Sequence, residues 1–331
     1  MNLKNKKILI TGSEGFIGSH LVETFLKEDC EIKAFVYYNA FNSRGWLDTL
    51  PKENIEKLEF FFGDIRDPYA VREAVKDVDV ICHLAALIGI PYSYIAPESY
   101  INTNILGTSN LLQAARDFNT EKIIVTSTSE TYGSALYTPI DEMHPYQPQS
   151  PYSASKIAAD NITLSYFYSF NLPVSIIRPF NTYGPRQSSR AIIPTIITQI
   201  LKNQEDLKLG NLNPMRDLTF VLDTCDAYIK MCKKDNLEGE IINIGNSSEI
   251  SIRDLANTIK NLMNSEIKIV SESIRVRPEK SEVNRLLADI TKARKLLGWE
   301  PKYTLTEGLK LTIEWFKKKE NLDKYKLGYN I

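Results

Sequence analysis

The chain has 331 residues, 43% of them hydrophobic and 24% charged, with a formal net charge of −1 at pH 7. That length supports a large core and two domains, and the composition is that of an ordinary globular protein. The near-neutral balance, with no domain-sized basic face, argues against nucleic acid as the main partner.

The chain opens on MNLKNKKILITG, which is basic but has too short an apolar run for a secretory leader. KKILITG (6–12) reads as strand one. GFIGSHLVETFLKED (15–29) carries apolar residues at helical spacing. EIKAFVYY (31–38), LEFFFGD (58–64) and VDVICHLAA (78–86) read as strands two to four. The longest largely apolar stretch, ICHLAALIGI, is too short to span a bilayer and contains His83. No membrane partner is expected, and a cytoplasmic location is. A helix follows over about 97–118, then strand five, EKIIVTSTS (121–129). Residues 152–170 read as a helix and LPVSIIRPF (172–180) as strand six, closed by Arg178 and Pro179.

Beyond Pro179 the rhythm loosens. Helical patterns near 190–203, 223–234, 251–264 and 304–319 mix with short strands such as IINIG (241–245). The alternation predicts an α/β protein with a Rossmann-type, doubly wound parallel sheet and right-handed crossovers. Residues 1–180 are read as a dinucleotide-binding domain. Residues 181–331 form mainly a smaller α/β substrate-binding domain, with an approximate boundary that the chain can recross. The four cysteines, Cys30, Cys82, Cys225 and Cys232, are scattered without a CxxC and read as buried thiols. His20, His83 and His144 have no ligand rhythm, so no metal is expected.

TGSEGFIGS places Gly12, Gly15 and Gly18 between strand one and a helix. Glycines there allow a tight turn and bring backbone N–H groups to a pyrophosphate at the helix N-terminus. The end of strand two, where an acid commonly grips the ribose of NAD, holds Tyr37, Tyr38 and Asn39. Asn39 or a tyrosine hydroxyl is the candidate for the ribose, and Arg44 for the 2′-phosphate of NADP; both cofactors stay open. Asp64 in GDIRD is a candidate for the adenine and equally a turn acid.

In SPYSASKIAAD, Tyr152 and Lys156 stand four residues apart on one helical face. An ammonium beside a phenol favours the phenolate, which can take a proton from an alcohol as hydride leaves. TSTSETYG (126–133) ends strand five in six hydroxyls and one acid, Glu130. A turn uses one or two hydroxyls; a reacting polyol could use them all.

Taken together, TGSEGFIGSHL, GDIRD, HLAA, NILGTSNLLQAA, TSTSETYG, PYSASK and RPFNTYGPRQ resemble the extended short-chain dehydrogenase/reductase family over residues 6 to 315. Within it, HLAALIGIPYSYIAPESYINTNILGT, PFNTYGPRQSSRAIIPTIITQ and PMRDLTFV look most similar to nucleotide-sugar 4,6-dehydratases of the legionaminic acid pathway type, which act on GDP-N-acetylglucosamine. The resemblance implies NAD as cofactor, held by Gly12, Gly15, Phe16, Ile17, Gly18, Asn39, Asp64, Ile65, Leu84, Ala85, Ala86, Tyr152 and Lys156. It implies catalysis by Thr128, Ser129, Glu130, Tyr152 and Lys156. It assigns the nucleotide sugar to Asn181, Arg186, Arg216 and Arg277, and it implies a homodimer built on the helices near 97–118 and 152–170. One departure stands out: dTDP-glucose dehydratases resembling this chain carry Thr-Asp-Glu, whereas here Thr128-Ser129-Glu130 is found. Ser-Glu also occurs in UDP-glucuronate decarboxylases, and a 4-epimerase needs no such acid, so both chemistries stay open.

Overall fold

The computed structural model describes residues 1–328. Seven strands form one parallel sheet: β1 (Lys7–Thr11), β2 (Glu31–Tyr37), β3 (Leu58–Gly63), β4 (Val80–His83), β5 (Lys122–Thr126), β6 (Val174–Pro179) and, much later in the chain, β10 (Ile241–Ile244). Their order is β10-β6-β5-β4-β1-β2-β3. β4 and β6 are buried at every residue, as a parallel sheet covered on both faces requires. Alternation shows within β1: Ile8 and Ile10 enter one core, Leu9 the other.

Helices Pro68–Val75, Gly107–Asp117 and Pro151–Phe170 pack in a row, while Phe16–Phe25 packs against Val221–Lys233. Winding reverses between β1 and β4, and the crevice at their carboxyl ends is where such sheets bind ligands.

The helix expected over 97–118 forms as three joined pieces. Pro97–Tyr100 and Gly107–Asp117 are α-helical, and Ile101–Leu106 between them is a wider π-helical segment. It leaves Asn104 buried: the Asn104 amide accepts from Leu87 N at 2.8 Å and donates to Leu87 O and Ser155 Oγ, both at 2.9 Å. The helix Pro151–Phe170 begins cleanly. Ser150 caps it reciprocally with Ser153, and Pro151 occupies the first turn.

Past β6 the chain builds two small sheets. β7 (Asn181–Tyr183), β9 (Met215–Phe220) and β11 (Glu249–Ser251) form one in the order β11-β9-β7; β8 (Asp206–Leu209) pairs with β12 (Lys268–Ser271) in the other. Between them the IINIG segment returns to the main sheet as β10, beside β6.

Candidate active site

The glycine turn is closed by contact. Gly12 has φ +67°, and a Cβ there would lie 2.9 Å from Ala85 N; one on Gly18 would lie 2.1 Å from Gly12 O. The ends of β1 and β4 are stitched by Thr11, whose hydroxyl accepts from Leu84 N and Ala85 N, both at 3.1 Å. The same hydroxyl lies 2.8 Å from His83 Nδ1, and His83 Nε2 lies 3.0 Å from Thr108 Oγ1. Burial pushes His83 down to about 3, so the ring is a neutral strut. Phe16, Ile17 and Ala86 stand partly exposed around this turn, and Ile65 is buried against Gly107. A turn this tight, opening a helix, fits a dinucleotide pyrophosphate.

At the outer edge, three residues expected to meet the cofactor are engaged elsewhere. The Asn39 amide donates to Tyr37 O and Ser43 O and accepts from Phe41 N and Ser43 N, which uses its full hydrogen-bonding capacity on its own loop. Arg44 pairs with Asp48 at 3.1 Å. Asp64 takes a bidentate grip from Arg66, with Nε–Oδ1 2.9 Å and Nη2–Oδ2 2.5 Å, and that bond holds its carboxyl below the usual range. Glu14, inside the glycine turn, reaches the end of β2 instead: its Oε1 accepts from Tyr37 N at 3.0 Å, while Oε2 is buried with no partner.

The hydroxyl-rich stretch resolves into separate tasks. Thr126 Oγ1 lies 2.5 Å from Tyr228 OH, Ser127 donates to Asp160 at 2.6 Å, and Thr128 caps the short turn Ser129–Tyr132 by accepting from Glu130 N at 3.2 Å. Thr131 donates back to Thr128 O. Among the described residues no side chain is paired with the Glu130 carboxylate. It is 8% exposed, and its charge acts on Tyr152 and Arg216. Ser129 beside it is 1% exposed.

Tyr152 and Lys156 are both buried on the helix Pro151–Phe170. Tyr152 is hydrogen-bonded to Thr128; burial raises its pKa well above the ordinary phenol value, the Thr128 bond pulls back, and the Glu130 charge adds to the rise. The lowered phenol expected from the YxxxK spacing is therefore reversed here. The reason is geometric: Lys156 Nζ donates to Thr126 O at 2.5 Å, and desolvation outweighs any lysine field on the phenol. Lys156 itself is pulled down by burial, with Asp160 pushing back.

Sequence reasoning missed what lies behind that pair. Asp160, a further four residues along the same face, is fully buried and pairs with fully buried Arg178 of β6 at 2.7 Å. Arg178 also donates to Tyr132 OH at 2.6 Å, Tyr146 OH at 3.0 Å and Ser127 Oγ at 3.3 Å. The only signal available in the sequence was the continued spacing, Tyr152–Lys156–Asp160.

Asn181 of β7 has its Oδ1 buried without a partner among the described residues. Arg216 of β9 and Arg277 share Glu282, at 3.4 Å and 3.9 Å. Arg186 stands apart from them: its φ is +67°, and its guanidinium pairs with Glu23 at 2.7 Å and reaches Ser19 at 3.3 Å, on the helix after the glycine turn. That placement does not bring it to the Arg216–Arg277 pair. Among the described residues no cluster of three or more His, Cys, Asp or Glu could hold a metal ion, and no helix is long and apolar enough to cross a membrane.

The chain is 35% identical to a putative UDP-glucose 4-epimerase of Methanocaldococcus jannaschii, over 94% of this chain and 98% of that one. It is 34% identical to a UDP-N-acetyl-alpha-D-glucosaminuronate decarboxylase of Bacillus cytotoxicus, over 96% and 99%. Among solved structures it is similar to DesIV, the dTDP-glucose 4,6-dehydratase of Streptomyces venezuelae with NAD and TYD bound, with a TM-score of 0.86, 29% identity, and 95% and 98% of the two chains covered. The seven-stranded parallel sheet agrees with these likenesses. The GDP-mannose 4,6-dehydratase profile matches residues 9–312, nearly the whole chain, and to that family, within the extended short-chain dehydrogenases/reductases, this protein belongs.

Proposed function

We propose that this protein is an NAD-dependent nucleotide-sugar 4,6-dehydratase, converting an NDP-N-acetylhexosamine to its 4-keto-6-deoxy form. GDP-N-acetylglucosamine, as in legionaminic acid synthesis for cell-surface glycans, is the first substrate to try. The observation that carries this reading is Glu130, an acid with no side-chain partner among the described residues, close enough to Tyr152 for its charge to act on the phenol. Epimerisation at the 4-position has no use for such a base.

NAD bound at the glycine turn would accept hydride from the sugar's 4-position and return it to the 6-position. Tyr152 would take the 4-hydroxyl proton as a phenolate, which the positive charge of bound NAD⁺ would stabilise against burial, with Thr128 holding the oxygen. The 4-ketone acidifies the hydrogen at the 5-position, and Glu130 removes it. Ser129 is a poor acid, so Glu130 also delivers that proton to the departing 6-hydroxyl, which leaves as water. The proton stored on Tyr152 then balances reprotonation at the 5-position. Asn181, Arg216 and Arg277 are proposed to hold the nucleotide diphosphate, where paired guanidinium groups match the charge. Residues 1–180 with β10 would carry the cofactor and the rest of 181–331 mainly the sugar. A homodimer through the helices around 97–117 and 151–170 completes the proposal.

Ser129 favours a second reading, a UDP-glucuronate decarboxylase, since that family shares the Ser-Glu pair. Mass spectrometry separates the two. The purified protein is incubated with GDP- and UDP-N-acetylglucosamine and with UDP-glucuronate. Loss of one water from an acetylglucosamine nucleotide is expected. Loss of carbon dioxide from UDP-glucuronate alone would replace the proposal with decarboxylation.

A further inference from the structure

A carboxylate oxygen buried without a donor is costly, and such an atom in a binding crevice asks what it is built to meet. Glu14 Oε2 is one. Burial raises the Glu14 carboxyl above its ordinary range, with its own backbone N–H and that of Tyr37 pulling back. The side chain is tied at the carboxyl end of β2 through Oε1 and Tyr37 N. The turn itself is anchored there too: Ser13 Oγ donates to Phe35 O at 3.0 Å, and Trp46 N donates to Glu14 O at 3.0 Å. This is the place where an acid at the end of the second strand meets the adenosine ribose in dinucleotide folds. In this chain the carboxyl end of that strand supplies no acid, and Asn39 has no free capacity.

We propose that Glu14, reaching from the glycine turn, is the residue that binds the adenosine 2′,3′-diol and selects NAD over NADP. Charge decides the direction. The two arginines nearest this edge in the chain, Arg44 and Arg66, are each paired with an acid, Asp48 and Asp64. What is left unpaired at this edge is therefore a carboxylate oxygen, Glu14 Oε2. It attracts two hydroxyl donors and repels a phosphate. The chain at Gly45 runs beside Glu14: a Cβ on Gly45 would lie 2.9 Å from Glu14 Cβ, and Trp46 N donates to Glu14 O at 3.0 Å.

The test is calorimetric binding, independent of any sugar substrate. The purified chain, freed of dinucleotide, is titrated with NAD⁺, NADP⁺ and 2′-deoxy-NAD⁺. A hydroxyl bonded to a carboxylate is worth roughly a tenfold to hundredfold change in affinity. Wild type is expected to bind NAD⁺ more tightly than either analogue by about that factor. Glu14→Gln should weaken NAD⁺ and narrow its lead over NADP⁺, with no further loss for 2′-deoxy-NAD⁺. An unchanged NAD⁺/NADP⁺ ratio in Glu14→Gln overturns the proposal. So does wild type that binds 2′-deoxy-NAD⁺ as tightly as NAD⁺, a comparison that stands even where the variant fails to fold.

Discussion

Tyr152, Lys156 and Asp160 stand four residues apart on one helical face, and their charges are set largely by what surrounds them. Lys156 sits below its ordinary pKa because burial disfavours the ammonium, and the Asp160 carboxylate offsets part of that. Asp160→Asn removes the offset and lowers Lys156 further. Activity that needs charged Lys156 is present below its pKa and fades as pH rises through it. The alkaline limb of kcat/KM is therefore expected to move to lower pH in Asp160→Asn. The same change strands the Arg178 guanidinium, fully buried, and should cost about 3–5 kcal/mol in urea unfolding. An alkaline limb that stays in place would separate Asp160 from Lys156. Glu130→Gln keeps the shape of its site and removes the base; dehydration should fall by roughly 10²–10⁴-fold, read as water lost from the product. Dehydration that survives the change would exclude Glu130 from the chemistry.

Elements were legible where burial is continuous. β1, β5 and β6 could be read from their Ile- and Val-rich runs, because the inner strands of a parallel sheet are hidden on both faces, and the edge strand β3 from its aromatic run Phe60–Phe62. The helix around 97–118 could be read as a helix but not as an interrupted one, since widening at Ile101–Leu106 serves contacts with Leu87 and Ser155 that lie far away in sequence. Site geometry was legible for the turn glycines, Tyr152, Lys156 and Glu130. It was not for Asp160, Arg178 or Glu14, whose roles depend on partners in other elements. At this scale Gly18 is the sharpest probe. A methyl there meets Gly12 O at 2.1 Å, and backbone cannot step aside as a flexible side chain would. Gly18→Ala should open the turn and weaken NAD⁺ binding at least tenfold by calorimetry, with the far-ultraviolet circular dichroism preserved; unchanged affinity would mean the turn does not cradle the pyrophosphate.

The whole molecule presents apolar side chains that its own core does not cover. Ile101 and Leu106 are 49% and 51% exposed, and Tyr168 and Phe170 are 74% and 44% exposed, on the two stretches assigned to a dimer contact. Light scattering is expected to give twice the chain mass, and a monomer peak would remove the dimer from the proposal. The return of Ile241–Ile244 to the edge of the main sheet has a further consequence, for synthesis. While the chain is being made, β6 is complete but its outer edge, Ile176 to Pro179, has no neighbour until β10 emerges about sixty residues later. At about 5–20 residues per second that open edge persists for several seconds. An unpaired edge strand is a template for wrong pairing. The nascent chain is thus most exposed to aggregation in that interval, and the main sheet is complete only when about half of the second half of the chain has been made.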